Sequence, residues 1–362
     1  MLKNSKGLLA YDYNGSTAFY LGSIIITLLV QAAGGVVSSA LVKTYPNIAS
    51  NGDFNTAFMI AIQLANALFI YFYTRIKRRS FDFTFVKRDG DGKGVTPAVI
   101  IVPVLAAAVL MIGMYLPTIW YGELVELMGI PEGYGSIELT TPSSVTMIVI
   151  ASVFLAPAFE ETIYRGVLLH GLKREKSTVK AVMLSALAFM LMHMSPIQVV
   201  FQFALGVVSG FIAVKAKRLL PSVLLHASAN ALALVMQMTP LTDVLASVVS
   251  SLKANPVGAV FATLLLAAAC GGVLFVVIKY AFTPEEWNFH GLRKRNAEAA
   301  STEEPAEEKA VETDSTDPDK SADTESEIRR KILRSNGTFK YWIGVGICIV
   351  MFIVNFVTAV IS

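Results

Sequence analysis

Apolar runs recur along this chain at lengths that match the thickness of a bilayer, and no other feature restricts its fold as much. A helix rises about 1.5 Å per residue and a hydrocarbon core is about 30 Å thick, so a spanning helix needs about 17–25 apolar residues. Nine such runs can be read, near 17–42, 56–74, 96–116, 145–169, 180–195, 197–214, 221–238, 256–281 and 341–361. The fifth is short and only Ser195-Pro196 separates it from the sixth, so these two are expected to form a tight hairpin. Composition agrees, with 54% of the 362 residues apolar and 16% charged, against about 45–50% and about 25% in soluble domains. The predicted fold class is an all-α polytopic membrane protein. Sixteen mostly polar residues precede the first run and no small-x-small cleavage site follows a short apolar core, so that run is expected to stay as an anchor.

Lys and Arg cross membranes reluctantly and collect in cytoplasmic loops, which sets the expected direction. With the N-terminus inside, 28 of the 30 basic residues fall on the inner side and only Lys43 and Lys253 remain outside. The outer loop 117–144 holds Glu123, Glu126, Glu132 and Glu138 with no Lys or Arg. An integral membrane protein is expected, with its N-terminus and the segment before the last span in the cytoplasm.

That segment, 283–339, is expected to be an acidic disordered linker joining a core (1–282) to a C-terminal transmembrane helix (340–362). Between Glu298 and Glu327 lie twelve Asp or Glu and two Lys, with no aromatic residue and Val311 as the only large aliphatic until Ile328. Such a stretch buries too little apolar surface to offset its ordering entropy. The expected role is a solvated tether, the alternative a docking segment (298–327) for a cytoplasmic partner. The basic clusters Arg293-Lys294-Arg295 and Arg329-Arg330-Lys331 flank it, placed to lie on anionic headgroups. Cys270 and Cys348 sit in apolar runs without metal-ligand spacing and read as buried small hydrophobes. Asp89-Gly90-Asp91-Gly92-Lys93-Gly94 looks like the start of a calcium loop, but Ile100 stands where a twelfth-position Glu is needed, so it reads as a turn.

Ionisable side chains inside a span cost roughly 2.5–3.5 kcal/mol each and mark function by default. Here they cluster. The fourth span contains Phe159-Glu160-Glu161-Thr162-Ile163-Tyr164-Arg165, the fifth ends in Phe189-Met190-Leu191-Met192-His193, and the seventh contains His226-Ala227-Ser228-Ala229-Asn230. Positions i and i+4 share a helix face. Glu161 and Arg165 are therefore expected to pair, Glu160 to point about 100° away as the free carboxylate, and Phe189/His193 and His226/Asn230 to face together. Pro157, three residues before Glu160, is expected to break the ladder and kink the helix. Gln31, Gln63, Asn66, Gln198, Gln202 and Gln237 read as interhelical hydrogen-bonding residues, and His170 and His290 as interfacial.

In that order on successive spans, Glu160-Glu161-x-x-x-Arg165, Phe189-x-x-x-His193 and His226-x-x-x-Asn230 resemble the three motifs of the CAAX-protease and bacteriocin-processing (CPBP, or ABI) family of intramembrane proteases. That family includes type II prenyl-protein endopeptidases and proteins like the lysostaphin-resistance protein. The motif-bearing region is about 145–240. The resemblance implies a core bundle of about eight helices with the site in a cavity, to which the ninth, C-terminal helix is added.

Peptide hydrolysis needs an activated water and a stabilised oxyanion. Glu160 is the expected general base, with His193 holding the same water and protonating the leaving amine. The resemblance implies that His226 and Asn230 bond the oxyanion as neutral donors. Glu161, Arg165 and Phe189 are expected as supporting residues, with Tyr164 ordering the base or the substrate backbone. A metal variant uses Glu160, His193 and His226 as zinc ligands. The absence of H-E-x-x-H favours chemistry without a metal. The expected partners are the lipid bilayer and a membrane-associated peptide or protein substrate, with no nucleic acid. Two rival functions are a non-catalytic scaffold or bacteriocin-immunity factor of the same fold, and a proton-coupled transporter. The transporter calls for inverted repeats, which the sequence does not show.

Overall fold

The computed structural model describes residues 9–10, 12–48, 51–77, 79–80, 97–131, 139, 141–281 and 318–361. Ten helical elements follow in order: α1 Tyr13–Leu41, α2 Gly52–Ile76, α3 Pro97–Leu127, α4 Pro142–Lys173, α5 Thr178–Met192, α6 Val199–Ala216, α7 Leu220–Met238, α8 Leu241–Lys253, α9 Pro256–Ala281 and α10 Pro318–Ile361. A two-residue parallel pairing of Leu9–Ala10 with Arg79–Ser80 accompanies them. The protein is an all-α polytopic membrane protein. Eight helices are long and apolar enough to cross a bilayer among the described residues. The surface confirms which solvent they face, since Phe261, Leu264 and Leu265 on α9 are 70%, 63% and 74% exposed, an arrangement that water penalises and lipid does not.

The ninth expected span, near 180–195, is the 15-residue α5, about 22 Å long and too short to cross unaided. It runs straight into the 18-residue α6 through a turn at 193–198. A hairpin returns to the side it left whatever depth it reaches, so the expected direction of the other helices is unaffected. The sequence reading also lacked α8, a 13-residue helix between α7 and α9, and ended α3 eleven residues early. Lys253 of α8 donates to Glu123 of α3 at 2.5 Å on the exposed surface.

The disordered linker expected over 283–339 needs correction at its C-terminal part: helix α10 begins at Pro318. Low hydrophobicity argues against an independent fold, but a helix extending a docked span needs no nucleus of its own. The sequence there is rich in Lys, Arg and Glu, all good helix formers, and a proline fits the first turn. Residues 283–317, the Asp89–Gly94 loop and His290 lie outside the described residues.

Lipid tails are as apolar as Leu, so helix association rests on close van der Waals packing and internal hydrogen bonds rather than on hydrophobic burial. The core collects residues from α1, α3, α4, α5, α6, α7, α9 and α10 around Phe19, Tyr20, Tyr164, Phe189 and Tyr341. The C-terminal helix thus belongs to the bundle. Its Gly344 lies against α1 so closely that a Cβ there would sit 2.6 Å from the Tyr20 ring. Cys348 is buried and Cys270 half-buried.

Candidate active site

Helix α4 is not uniform. Two π-helical stretches, Val149–Leu155 and Thr162–Leu169, bracket a six-residue α-helical segment, Ala156–Glu161, that carries both carboxylates. The proline explains the first of them. Ala156 N–H bonds the carbonyl five residues back, Ala151 O. The next residue in that register, Pro157, has no N–H for Ser152 O. Asn230 Nδ2 on α7 donates to Ser152 O at 2.6 Å, so the expected break in the ladder is filled by a motif residue. π-Stretches inside α-helices are frequent at functional sites.

Glu161 is a fully buried hub. Its Oε1 accepts from Arg165 Nη1 at 2.9 Å and lies 3.0 Å from His226 Nδ1, and its Oε2 accepts from Ser209 Oγ of α6 at 2.6 Å. Arg165 is equally buried, and its Nη2 donates to Gly206 O of α6 at 3.1 Å. The guanidinium also lies over the Phe189 ring at 4.2 Å. Burying an ion pair costs several kcal/mol per charge unless further hydrogen bonds satisfy both partners. Here α6 and α7 supply bonds to both partners, and Arg165 Nε alone of the guanidinium and carboxylate atoms is buried without one among the described residues. The cluster therefore locks α4, α5, α6 and α7 together.

Glu160 is 6% exposed and points elsewhere. Its Oε1 accepts from Gln63 Nε2 of α2 at 3.0 Å, while Oε2 is buried and has no partner among the described residues. Gln63 Oε1 is likewise buried without a partner. Two acceptors without donors are an incomplete arrangement, because a buried polar atom left unpaired costs about 1–3 kcal/mol.

His193 caps the end of α5, and its Nδ1 lies 2.9 Å from Phe189 O. The Phe189 ring is edge-on to both imidazoles, with centroids 4.9 Å from His193 and 5.4 Å from His226. Glu160, Arg165 and His226 all lie within electrostatic range of the His193 ring. Tyr164 is buried edge-on between Phe189 and Tyr20, and its backbone carbonyl accepts from Ser185 Oγ at 2.9 Å. His170 Nδ1 lies 2.9 Å from Arg165 O.

Both histidines face an oxygen that only accepts, a carbonyl for His193 and a carboxylate for His226. In each, Nδ1 must therefore carry a proton, and a neutral ring has only a lone pair left on Nε2. This constrains the expectation that His226 is a neutral donor to an oxyanion. Its Nε2 donates only from a protonated ring, and the neighbouring carboxylate, Glu161, is already paired with Arg165. Asn230 keeps a second N–H beyond the one given to Ser152 O.

Glu160, Glu161, Arg165, Phe189, His193, His226 and Asn230 thus come from α4, α5 and α7 into one region. Among the described residues, no three His, Cys, Asp or Glu side chains are placed to hold one metal ion together. Gln63 and Ser209 were not singled out by the sequence as site residues. Gln63 read as an interhelical bond, and its position in a span signalled that it needed a partner without signalling which.

Residues 142–232 match the family model of type II CAAX prenyl endopeptidases, Rce1-like. The matched segment covers about a quarter of the chain, from the start of α4 into α7, and holds all three motifs. The chain therefore carries an Rce1-like domain, in keeping with the CPBP resemblance of those motifs. No curated protein and no solved structure matches the chain. Gln63 of α2 lies outside the Rce1-like segment, yet it touches the first motif carboxylate.

Proposed function

We propose that this protein is an intramembrane endopeptidase that hydrolyses a peptide bond of a membrane-anchored or lipidated substrate. The observation that carries this reading is the asymmetry of Glu160. One carboxylate oxygen is tethered by Gln63 and the other is unpaired, inside a segment that matches a protease family. Water gives one hydrogen to Glu160 Oε2 and the other to the Nε2 lone pair of His193, which leaves its oxygen free to attack the substrate carbonyl. Glu160 takes the proton and returns it to the leaving amine. The second N–H of Asn230 stabilises the oxyanion, joined by His226 Nε2 when that ring is protonated.

In this reading the chemistry needs no metal. Zinc held by Glu160, His193 and His226 is the variant to be tested, through metal analysis and chelation. One zinc per chain, with activity lost to a chelator and restored by zinc, would overturn the metal-independent assignment. The distribution of basic residues supports a cytoplasmic N-terminus and a cytoplasmic 283–339 segment, and the cell membrane of a bacterium is the proposed location.

The decisive assay compares the wild type with Glu160→Gln and His193→Ala, reconstituted with membrane-anchored peptides, including prenylated ones. Cleavage by the wild type alone is expected. Equal cleavage by all three refutes the site, and no cleavage of any peptide class that Glu160→Gln captures favours the scaffold alternative. Capture on Glu160→Gln followed by mass spectrometry identifies the substrate.

A further inference from the structure

The turn that carries His193 is held from outside the Rce1-like segment. Met194, the next residue, is buried and has φ 51°. For a side chain without a local polar group this left-handed conformation costs roughly 1–2 kcal/mol. The turn has little of its own to offset that. Its internal bonds are short-range steps, His193 N to Met190 O at 3.2 Å, Met194 N to Leu191 O at 3.1 Å and Gln198 N to Ser195 O at 3.4 Å. Strained backbone persists only where its surroundings over-determine it.

Two other helices supply that constraint. Asn355 Nδ2 of α10 donates to Met194 O at 2.8 Å, and Tyr121 OH of α3 donates to Pro196 O at 2.7 Å. These two donors are mechanically joined. Tyr121 and Phe356, the residue after Asn355, both pack against a small separate core of Val125, Ile130 and Ala359. A third bond, Tyr341 OH to Leu184 O at 2.8 Å, ties α10 to the body of α5. In α10, Asn355 and Tyr341 are therefore both directed at the short helix that bears His193.

We infer that Asn355 and Tyr121 are positioning residues for His193, and that the C-terminal helix serves to complete the active site. Because the His193 ring is fixed to its own helix through Phe189 O, its location is decided by where α5 ends. The two donors fix that end. The catalytic consequence rests on the protease reading above, whereas the mechanical one does not.

The test uses the full chain with Asn355→Leu, Tyr121→Phe and the double variant, beside Glu160→Gln. Tyr121→Phe keeps the ring on that small core and deletes only the hydroxyl, so it remains informative if Asn355→Leu misfolds. Each single variant should lower kcat about 10- to 100-fold, the scale of a misplacement of about 1 Å, with KM within about twofold. The double variant should be little worse than the poorer single one, since both act through one turn. Hydrogen exchange of peptides covering 193–198 should accelerate in each variant. Unchanged kcat, or losses that multiply in the double variant, overturn the shared positioning role. Unchanged exchange at 193–198 overturns the brace itself, and that readout stands even if Glu160→Gln is as active as wild type and the protease reading has failed.

Discussion

Gln63→Leu tests the site more sharply than removal of the carboxylate, because it separates catalysis from folding. Leucine nearly preserves the volume of the side chain and deletes the Nε2 donor 3.0 Å from Glu160 Oε1. A hydrogen bond to a charged group is worth about 1.5–3 kcal/mol. If that bond holds Glu160 in its reactive rotamer, its loss lowers kcat/KM by about 10- to 150-fold, at 1.36 kcal/mol per tenfold. Stability should change by less, within about 1 kcal/mol, since the cost of leaving Glu160 Oε1 unpaired is offset by removing the unpaired Gln63 Oε1 and its desolvation penalty. The control is Gln202→Leu in α6, a second intramembrane glutamine with an unpaired oxygen and no bond to Glu160. The assay is steady-state cleavage in liposomes with thermal unfolding of the same samples. If Gln63→Leu keeps kcat/KM within threefold of wild type while Glu160→Gln is inactive, the tether is irrelevant to the reaction and the asymmetry argument fails.

Glu161→Gln leaves the Arg165 guanidinium buried without a counter-charge, a loss of about 3–5 kcal/mol. Its Tm in micelles should therefore fall well below that of Glu160→Gln, which retains an acceptor for Gln63. Pro157→Ala restores an N–H next to Ser152 O and removes an interior proline worth about 3 kcal/mol. Tm should hold or rise while turnover falls, because regularising the π-stretch rotates Glu160 and releases Asn230; unchanged turnover would contradict this. Gly171→Ala places a Cβ 1.6 Å from Ser16 Oγ and 3.3 Å from the backbone of Asp12, so relief must come from parting α4 and α1. A loss of about 1–3 kcal/mol is expected from overpacking, measured by denaturant titration, and an unchanged midpoint would refute the close α1–α4 contact.

Much of the architecture was legible in the sequence because a bilayer converts composition into geometry. Length and apolar content alone identify eight of the spans. The short α5 was flagged by its length and by the Ser195-Pro196 boundary, and it remained ambiguous because nothing in an apolar run says whether protein or lipid surrounds it. The acidic stretch after 283 was read by composition, which ignores that the helix of 318–361 is seeded by its own packed half. Within the site, the Glu161–Arg165 pair could be read from four-residue spacing, but the contacts of Gln63, Ser209 and Asn355 could not.

What the sequence determined by itself was local and periodic: which residues share a helix face, that Glu160 and Glu161 must diverge, and that Pro157 withholds a donor. Only the tertiary structure decided what meets those faces. Glu160 and Gln63 are 97 residues apart, and His226 turned out to bond the salt-bridged Glu161 rather than Glu160. The physical reason is that helical periodicity fixes directions around an axis, whereas the partner found in each direction depends on how all the axes are arranged. That arrangement is set by the packing of the bundle as a whole, including a C-terminal helix that the motifs do not contain.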